Sequence, residues 1–217
     1  LEQMAAYYGI TETDATALEK YRAACCEQWS RLSLPLVRKN VGRYSPEIKR
    51  IFVPLMVRDD REEEKNRKEQ EKHRVKNRLD ERQDGQSFSV DFSVAFSKYP
   101  CFVLVGLPGS GKTTLLRRTA LAFAENRPED IGWQGQQYIP VFVRLRNFGI
   151  FLEENHAKFG APGAGILVAY LEQNLRNVEN IQIPDDFFEK RLQAGQCVIL
   201  LDGLDEVLNN RVEVAQS

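Results

Sequence analysis

Two histidines, two methionines and four cysteines in 217 residues leave little material for metal or redox chemistry. The cysteines are an adjacent pair, Cys25 and Cys26, and two that open apolar runs, Cys101 and Cys197. None forms a C-x-x-C ligand pair, and His73 and His156 stand in polar surroundings with no second ligand at useful spacing, so no thiolate or imidazole metal centre is expected. Buried thiols in a reducing compartment are the expectation. Charge of one sign is lacking too: 30 basic and 31 acidic side chains leave a net charge of −1, which gives no electrostatic case for nucleic acid or an anionic membrane. No apolar run approaches the ~20 residues of a membrane span. The opening LEQMAAYYGITETD has no basic-then-apolar signal pattern. A cytoplasmic protein is expected, and a chain that opens on Leu1 reads as a fragment or a processed form.

What is present is a complete G-x-x-x-x-G-K-[ST] loop, GLPGSGKT, at residues 106–113. Its four fixed positions coincide by chance in roughly one chain of this length per hundred or more, so the match is informative. The apolar run CFVLV before it (101–105) predicts a parallel strand covered on both faces. Gly106, Gly109 and Gly111 permit positive φ and close backbone approach, and Pro108 stiffens the turn between them. The N–H groups of Gly109, Ser110, Gly111 and Lys112 are expected to converge on a phosphate at a helix N-terminus, where orphan donors and the macrodipole favour an anion. Lys112 adds a point charge for the β- and γ-phosphates, Thr113 a hydroxyl for Mg²⁺, and Thr114 a contact to the α-phosphate. Leu115, Leu116, Thr119, Ala120 and Phe123 follow at helical spacing.

A second element, CVILLDGLDE, lies at 197–206. Val198–Leu201 predict another buried strand, with Asp202 at its carboxyl end, where ligands gather in open α/β sheets. A carboxylate there holds Mg²⁺, usually through water. Gly203 keeps the turn narrow. Asp205 and Glu206 bring two more carboxylates, read either as water-directing catalytic groups or as the acidic cap of a following helix.

With both motifs in hand, the chain resembles the NACHT family of signal-transducing, STAND-type ATPases. The likeness extends to QYIPVFVRLRNF (137–148), similar to the family's strand 2 with Arg146 near its end, and to FFEKRLQAGQCVILLDGLDEV (187–207), similar to its helix, Gly turn and Walker B strand. EIKRIFVPLMV (47–57) is similar to a lead-in that lies against the adenine in relatives, which carries Val53 and Pro54 into the nucleotide-binding set. The resemblance implies an α/β P-loop NTPase with a doubly wound, mostly parallel sheet, incomplete on its C-terminal side and preceded by a helical segment. It also implies ATP/ADP and Mg²⁺ as cofactors, and homo-oligomers formed through the full-length protein. In that family a strand with a polar sensor follows Walker B, and helical and winged-helix domains then close over the nucleotide. A piece ending at Ser217 is therefore expected to leave a gap between its P-loop and Walker B strands and to be poorly stable alone.

Along the chain, three parts are expected: an N-terminal helical segment and adenine-side lead-in (1–57), a charged insertion or linker (58–97), and the N-terminal part of the nucleotide-binding domain (98–217). Residues 13–31 read as a helix whose stripe Leu18, Tyr21, Cys25 and Trp29 is a packing face. Residues 58–84 carry ten basic and ten acidic side chains with Val75 and Leu79 the clear apolar exceptions, so no face is offered to a core. Between the motifs, the expected order is a loop (126–137), strand 2, a Gly/Pro-rich turn (159–165), a helix (166–178) and a second helix (184–194) started by Pro184 and ended by Gly195.

Two functions from different classes stay open on the sequence. One is an ATPase switch in a larger signalling or defence protein, binding nucleotide but neither nucleic acid nor membrane. The other is a nucleotide-locked scaffold with negligible hydrolysis. The absence of an N-K-x-D base-reading motif argues against a GTPase.

Overall fold

The computed structural model describes residues 12–32, 45–53, 56–58, 89–159, 163–178 and 183–204. The first helix, α1 (Glu12–Trp29), buries the stripe its sequence predicts: Leu18, Tyr21, Cys25 and Trp29. A short helix α2 (Ile48–Ile51) and a strand β1 (Met56–Arg58) follow. Then come β2 (Ser89–Asp91), α3 (Phe92–Lys98) and α4 (Lys112–Ala124). A 3₁₀ turn over Pro128–Ile131 leads to β3 (Ile139–Arg144), α5 (Leu145–Phe159), α6 (Ala164–Val178), α7 (Phe187–Gln193) and β4 (Cys197–Asp202).

The fold is a mixed one of helices and strands around a small parallel sheet. β3 and β4 pair in parallel over six rungs, from Ile139↔Cys197 to Arg144↔Asp202. Parallel neighbours need a long crossover, here supplied by α5, α6 and α7. On one face of β3, Ile139, Val141 and Val143 are wholly buried. α1 belongs to the same core as this sheet: the Tyr21 hydroxyl donates to the Pro140 carbonyl at 2.6 Å, and the Trp29 ring lies 5.7 Å from that of Phe142. Tyr21 also meets Phe188 of α7 edge to face at 5.4 Å. The N-terminal helix, read as a separate segment, therefore contributes directly to the core around the β3–β4 pair.

Helix ends follow local chemistry. At the end of α7, Gly195 is left-handed (φ 65°), the Gln196 N–H donates to the Arg191 carbonyl (2.9 Å) and the Gly195 N–H to that of Leu192 (3.1 Å), a Schellman closure. α4 closes the same way with Asn126 (φ 60°) as the left-handed residue and Arg127 N–H on the Ala122 carbonyl at 2.8 Å. Asparagine tolerates that conformation better than other side chains.

Three differences from the sequence reading stand out. Residues 101–105, expected as a strand, form no ladder among the described residues, and Val103 and Val105 face solvent. Strand 2 ends at Arg144, and the unanticipated helix α5 begins at once, burying Leu145, Phe148, Phe151 and Leu152. Gly149 and the strand-like start masked that helical spacing. Thirdly, β2 and α3 lie inside the stretch 58–97 read as insertion or linker. β1 and β2 pair antiparallel, with Arg58 opposite Ser89. α3 is capped by Asp91, whose Oδ1 accepts from the Ser93 N–H at 2.8 Å and the Ser93 hydroxyl at 2.6 Å.

The thiols are not uniformly buried: Cys25 is, Cys26 and Cys197 are half-buried, and Cys101 is exposed. Cys101 belongs to the unladdered segment, which explains its departure from expectation. Among the described residues, no helix is long and apolar enough to cross a membrane.

Candidate functional site

The phosphate-loop motif folds as its residues dictate. Pro108 and Gly109 occupy the two central positions of a turn closed by the Ser110 N–H on the Leu107 carbonyl at 3.1 Å, and Gly109 has φ 77°. Proline first and a positive-φ glycine second is the chemistry of a type II turn. Gly111, at φ 89°, then leads into α4, whose first-turn N–H groups have no partner within the helix. A Cβ on Gly106 would stand 2.9 Å from the Ser110 hydroxyl oxygen and 3.8 Å from Lys112 Cδ, so a side chain there would require the Ser110 hydroxyl to turn aside. Because the Ser110 N–H is used inside the turn, it is not among the donors facing outward, which corrects the expectation for that one group. The Lys112 ammonium donates to the carbonyls of Gly106 (2.7 Å) and Leu107 (3.0 Å) and so bridges the loop.

Thr113 and Asp202 come together. The Thr113 hydroxyl donates to Asp202 Oδ1 at 2.9 Å across 89 residues of sequence. α4 brings the hydroxyl on its first turn, and β4 brings the carboxylate at its carboxyl end, next to the positive-φ turn of Gly203 (84°). Thr114 is half-buried on the same helical turn. Among the described residues, no group of three or more His, Cys, Asp or Glu side chains gathers around a metal position. One carboxylate and one hydroxyl fit Mg²⁺, which is usually held by one or two carboxylates together with substrate phosphates and water, and they fit poorly a dedicated all-protein metal cage.

Other predicted residues are placed differently. Arg146 is exposed on the first turn of α5, two residues beyond the strand end. Val53 is 71% exposed, and Lys49 of α2 pairs with Glu125 past the C-terminal end of α4, the end opposite the phosphate loop. At 1.5 Å per residue that helix separates the two ends by roughly 20 Å. Pro54, Asp205 and Glu206 lie outside the described residues.

Two arginines absent from the sequence reading stand near the site. Arg144 is the ladder partner of Asp202, and Arg117 follows Thr113 by four residues on α4. Burial pushes the Arg117 guanidinium below its usual pKa, the nearby positive charge of Arg144 adds to this, and the Asp202 carboxylate opposes it. The i, i+4 spacing from Thr113 was visible in the sequence. The register that sets Arg144 beside Asp202 was not.

The chain was compared with protein-family models, with curated proteins and with solved structures, and it matches none of them.

Proposed function

We propose that this chain carries a site for a nucleoside triphosphate with Mg²⁺, and that it acts as a NACHT-type module switching conformation between ATP- and ADP-bound forms within a larger signalling or defence protein. The observation that carries the reading is the Thr113–Asp202 hydrogen bond, which joins the two motifs that the chemistry requires to be neighbours. The loop supports it through its type II turn, its tight glycine at 106 and the orphan N–H groups opening α4.

In this reading the loop backbone and Lys112 hold the phosphates. Thr113 and Asp202 would hold Mg²⁺, which, when bound, neutralises phosphate charge. Lys112 exchanges its two backbone carbonyl partners for phosphate oxygens, a stronger, charge-assisted pairing. Asp205 and Glu206 remain the proposed groups for directing water. A cytoplasmic setting and homo-oligomerisation through the full-length protein belong to the same proposal.

Titration calorimetry with ADP and a non-hydrolysable ATP analogue, in the presence of Mg²⁺, tests it on the full-length protein. Lys112→Ala should weaken both by about 10- to 100-fold, the worth of one or two hydrogen bonds to a charged group. Asp202→Asn should reduce the Mg²⁺-dependent part of binding. Undiminished affinity in both variants would remove the motif pair from the site.

A further inference from the structure

Two arginines, Arg144 and Arg117, lie near the Asp202 carboxylate at the carboxyl end of the parallel pair. Arg144 and Asp202 occupy the same rung, with backbones about 4.8 Å apart and side chains leaving the same face. Arg117 lies on the helical stripe that begins with Thr113, the residue already bonded to Asp202. The two arginines differ in exposure. Arg117 is half-buried and its Nε is shut off from solvent with no hydrogen-bond partner among the described residues, whereas Arg144 is exposed. No hydrogen bond or ion pair of Arg144 is found among the described residues.

One carboxylate cannot compensate two cations. The charge withdrawn further from water gains most from it, because attraction strengthens as the surrounding dielectric falls. That charge is Arg117, and its perturbation by both Asp202 and Arg144 is consistent with the three groups lying close together. The positive charge of Arg144 is also felt by the buried Tyr170 hydroxyl of α6, where it opposes the upward push of burial. Among the described residues Arg144 thus has no compensating partner of its own, and it is exposed at the end of the sheet where Thr113 and Asp202 meet. A planar guanidinium in that position matches the geometry of phosphate oxygens.

We propose that Arg144 is a specificity-determining residue of this site, meeting the outermost phosphate of a bound nucleoside triphosphate and so setting the preference for triphosphate over diphosphate, with Arg117 as the positioning residue that compensates Asp202. This rests on the nucleotide reading above.

The test is the ratio of affinities for ADP and a non-hydrolysable ATP analogue, measured with Mg²⁺ on the full-length protein, with thermal stability recorded alongside. Arg144→Gln should lower affinity for the ATP analogue about tenfold or more while leaving that for ADP within about twofold, the signature of one lost charged contact. Arg144→Lys should recover part of the ratio, since a point charge remains without the bidentate fork; it also serves if the Gln variant does not fold. Arg117→Gln should weaken both nucleotides together, because it acts through Asp202. If wild type binds both nucleotides and neither Arg144 variant changes their ratio, or both affinities fall together with the melting temperature, Arg144 is structural and the proposal is overturned. If wild type binds neither, the nucleotide reading itself has failed, and this inference falls with it.

Discussion

Val141 and Val143 are 0% exposed, whereas Val103 and Val105, the same residue type in an equally apolar run, are 80% and 87% exposed. The first pair sits in β3, which has six rungs with β4 and helices packed against it. The second sits in the stretch leading to the phosphate loop, which has no ladder among the described residues and is held by its aromatic ring: Phe102 meets Phe92 at 6.0 Å and Phe96 at 6.3 Å. A continuous apolar run therefore states only that a segment suits a covered strand. Burial also needs a neighbour that pairs its backbone and a layer that covers its side chains. β4 shows both conditions at once, with Leu200 buried while Ile199 and Leu201 on its other face stay half-exposed.

The largest test of this contrast compares Phe187→Ala with Val105→Ser. Phe187 is wholly buried, stacked under the Arg191 guanidinium at 3.7 Å, so its truncation should cost about 3–5 kcal/mol in denaturant unfolding. Val105→Ser should stay within about 0.5 kcal/mol. Comparable losses would mean that the segment 101–105 is covered in solution. Next comes Asp130→Ala, which strips the buried Arg118 of its 3.1 Å partner and leaves exposed Arg127 without its own at 2.9 Å. Leaving a buried cation uncompensated should cost about 3 kcal/mol, whereas Arg127→Ala, on the exposed side, should cost under about 1 kcal/mol.

Thiol chemistry reads the same contrast without mutation. Burial pushes the Cys197 thiol up to about 12, against a positive charge from Arg191 that pulls it down. Being protonated at pH 8, it should alkylate far more slowly than exposed Cys101, by about 100-fold or more, when labelled sites are followed by mass spectrometry. Equal rates would show that β4 opens as readily as the unladdered segment 101–105.

Smaller effects are expected around α3 and the charged stretch. Two hydrogen bonds from Ser93 hold the Asp91 carboxyl below its ordinary range. With a depressed folded-state pKa, its stabilisation is complete above the unfolded value of about 3.9 and is lost as pH falls through the folded value. Asp91→Ala should therefore cost about 1 kcal/mol at pH 7, with the difference from wild type vanishing in strong acid. A melting difference that persists unchanged to pH 2 would assign the loss to packing. Smallest of all, replacing residues 59–88 by an Asn-Gly turn between Arg58 and Ser89 should leave the melting temperature within about 2 °C, because those two residues already face each other across the β1–β2 ladder. A clear drop would show that the charged stretch contributes to the core after all.

Legibility in the sequence followed the range of the interaction. The α1 stripe was readable because a helix imposes its own period: Leu18, Tyr21, Cys25 and Trp29 are buried at the spacing the sequence prescribes. The turn at Pro108 and Gly109 and the helix end at Gly195 were readable because steric limits on φ act within a few residues. Helix α5 was missed because strand-like and helical patterns overlap at 144–149, and only packing against Tyr170, whose ring lies 5.2 Å from Phe148, decides between them.

The candidate site divides along the same line. The residue types of the loop and the Asp202 strand end were determined by the sequence, since a Pro-Gly turn and an apolar strand ending in a carboxylate are each local constructions. That Thr113 reaches Asp202 at 2.9 Å, that Arg144 shares a rung with Asp202, and that Val103 stays in water while Val141 does not were decided by tertiary structure alone. Register between strands far apart in sequence depends on which backbones pair and which layers cover them. No local propensity carries that information.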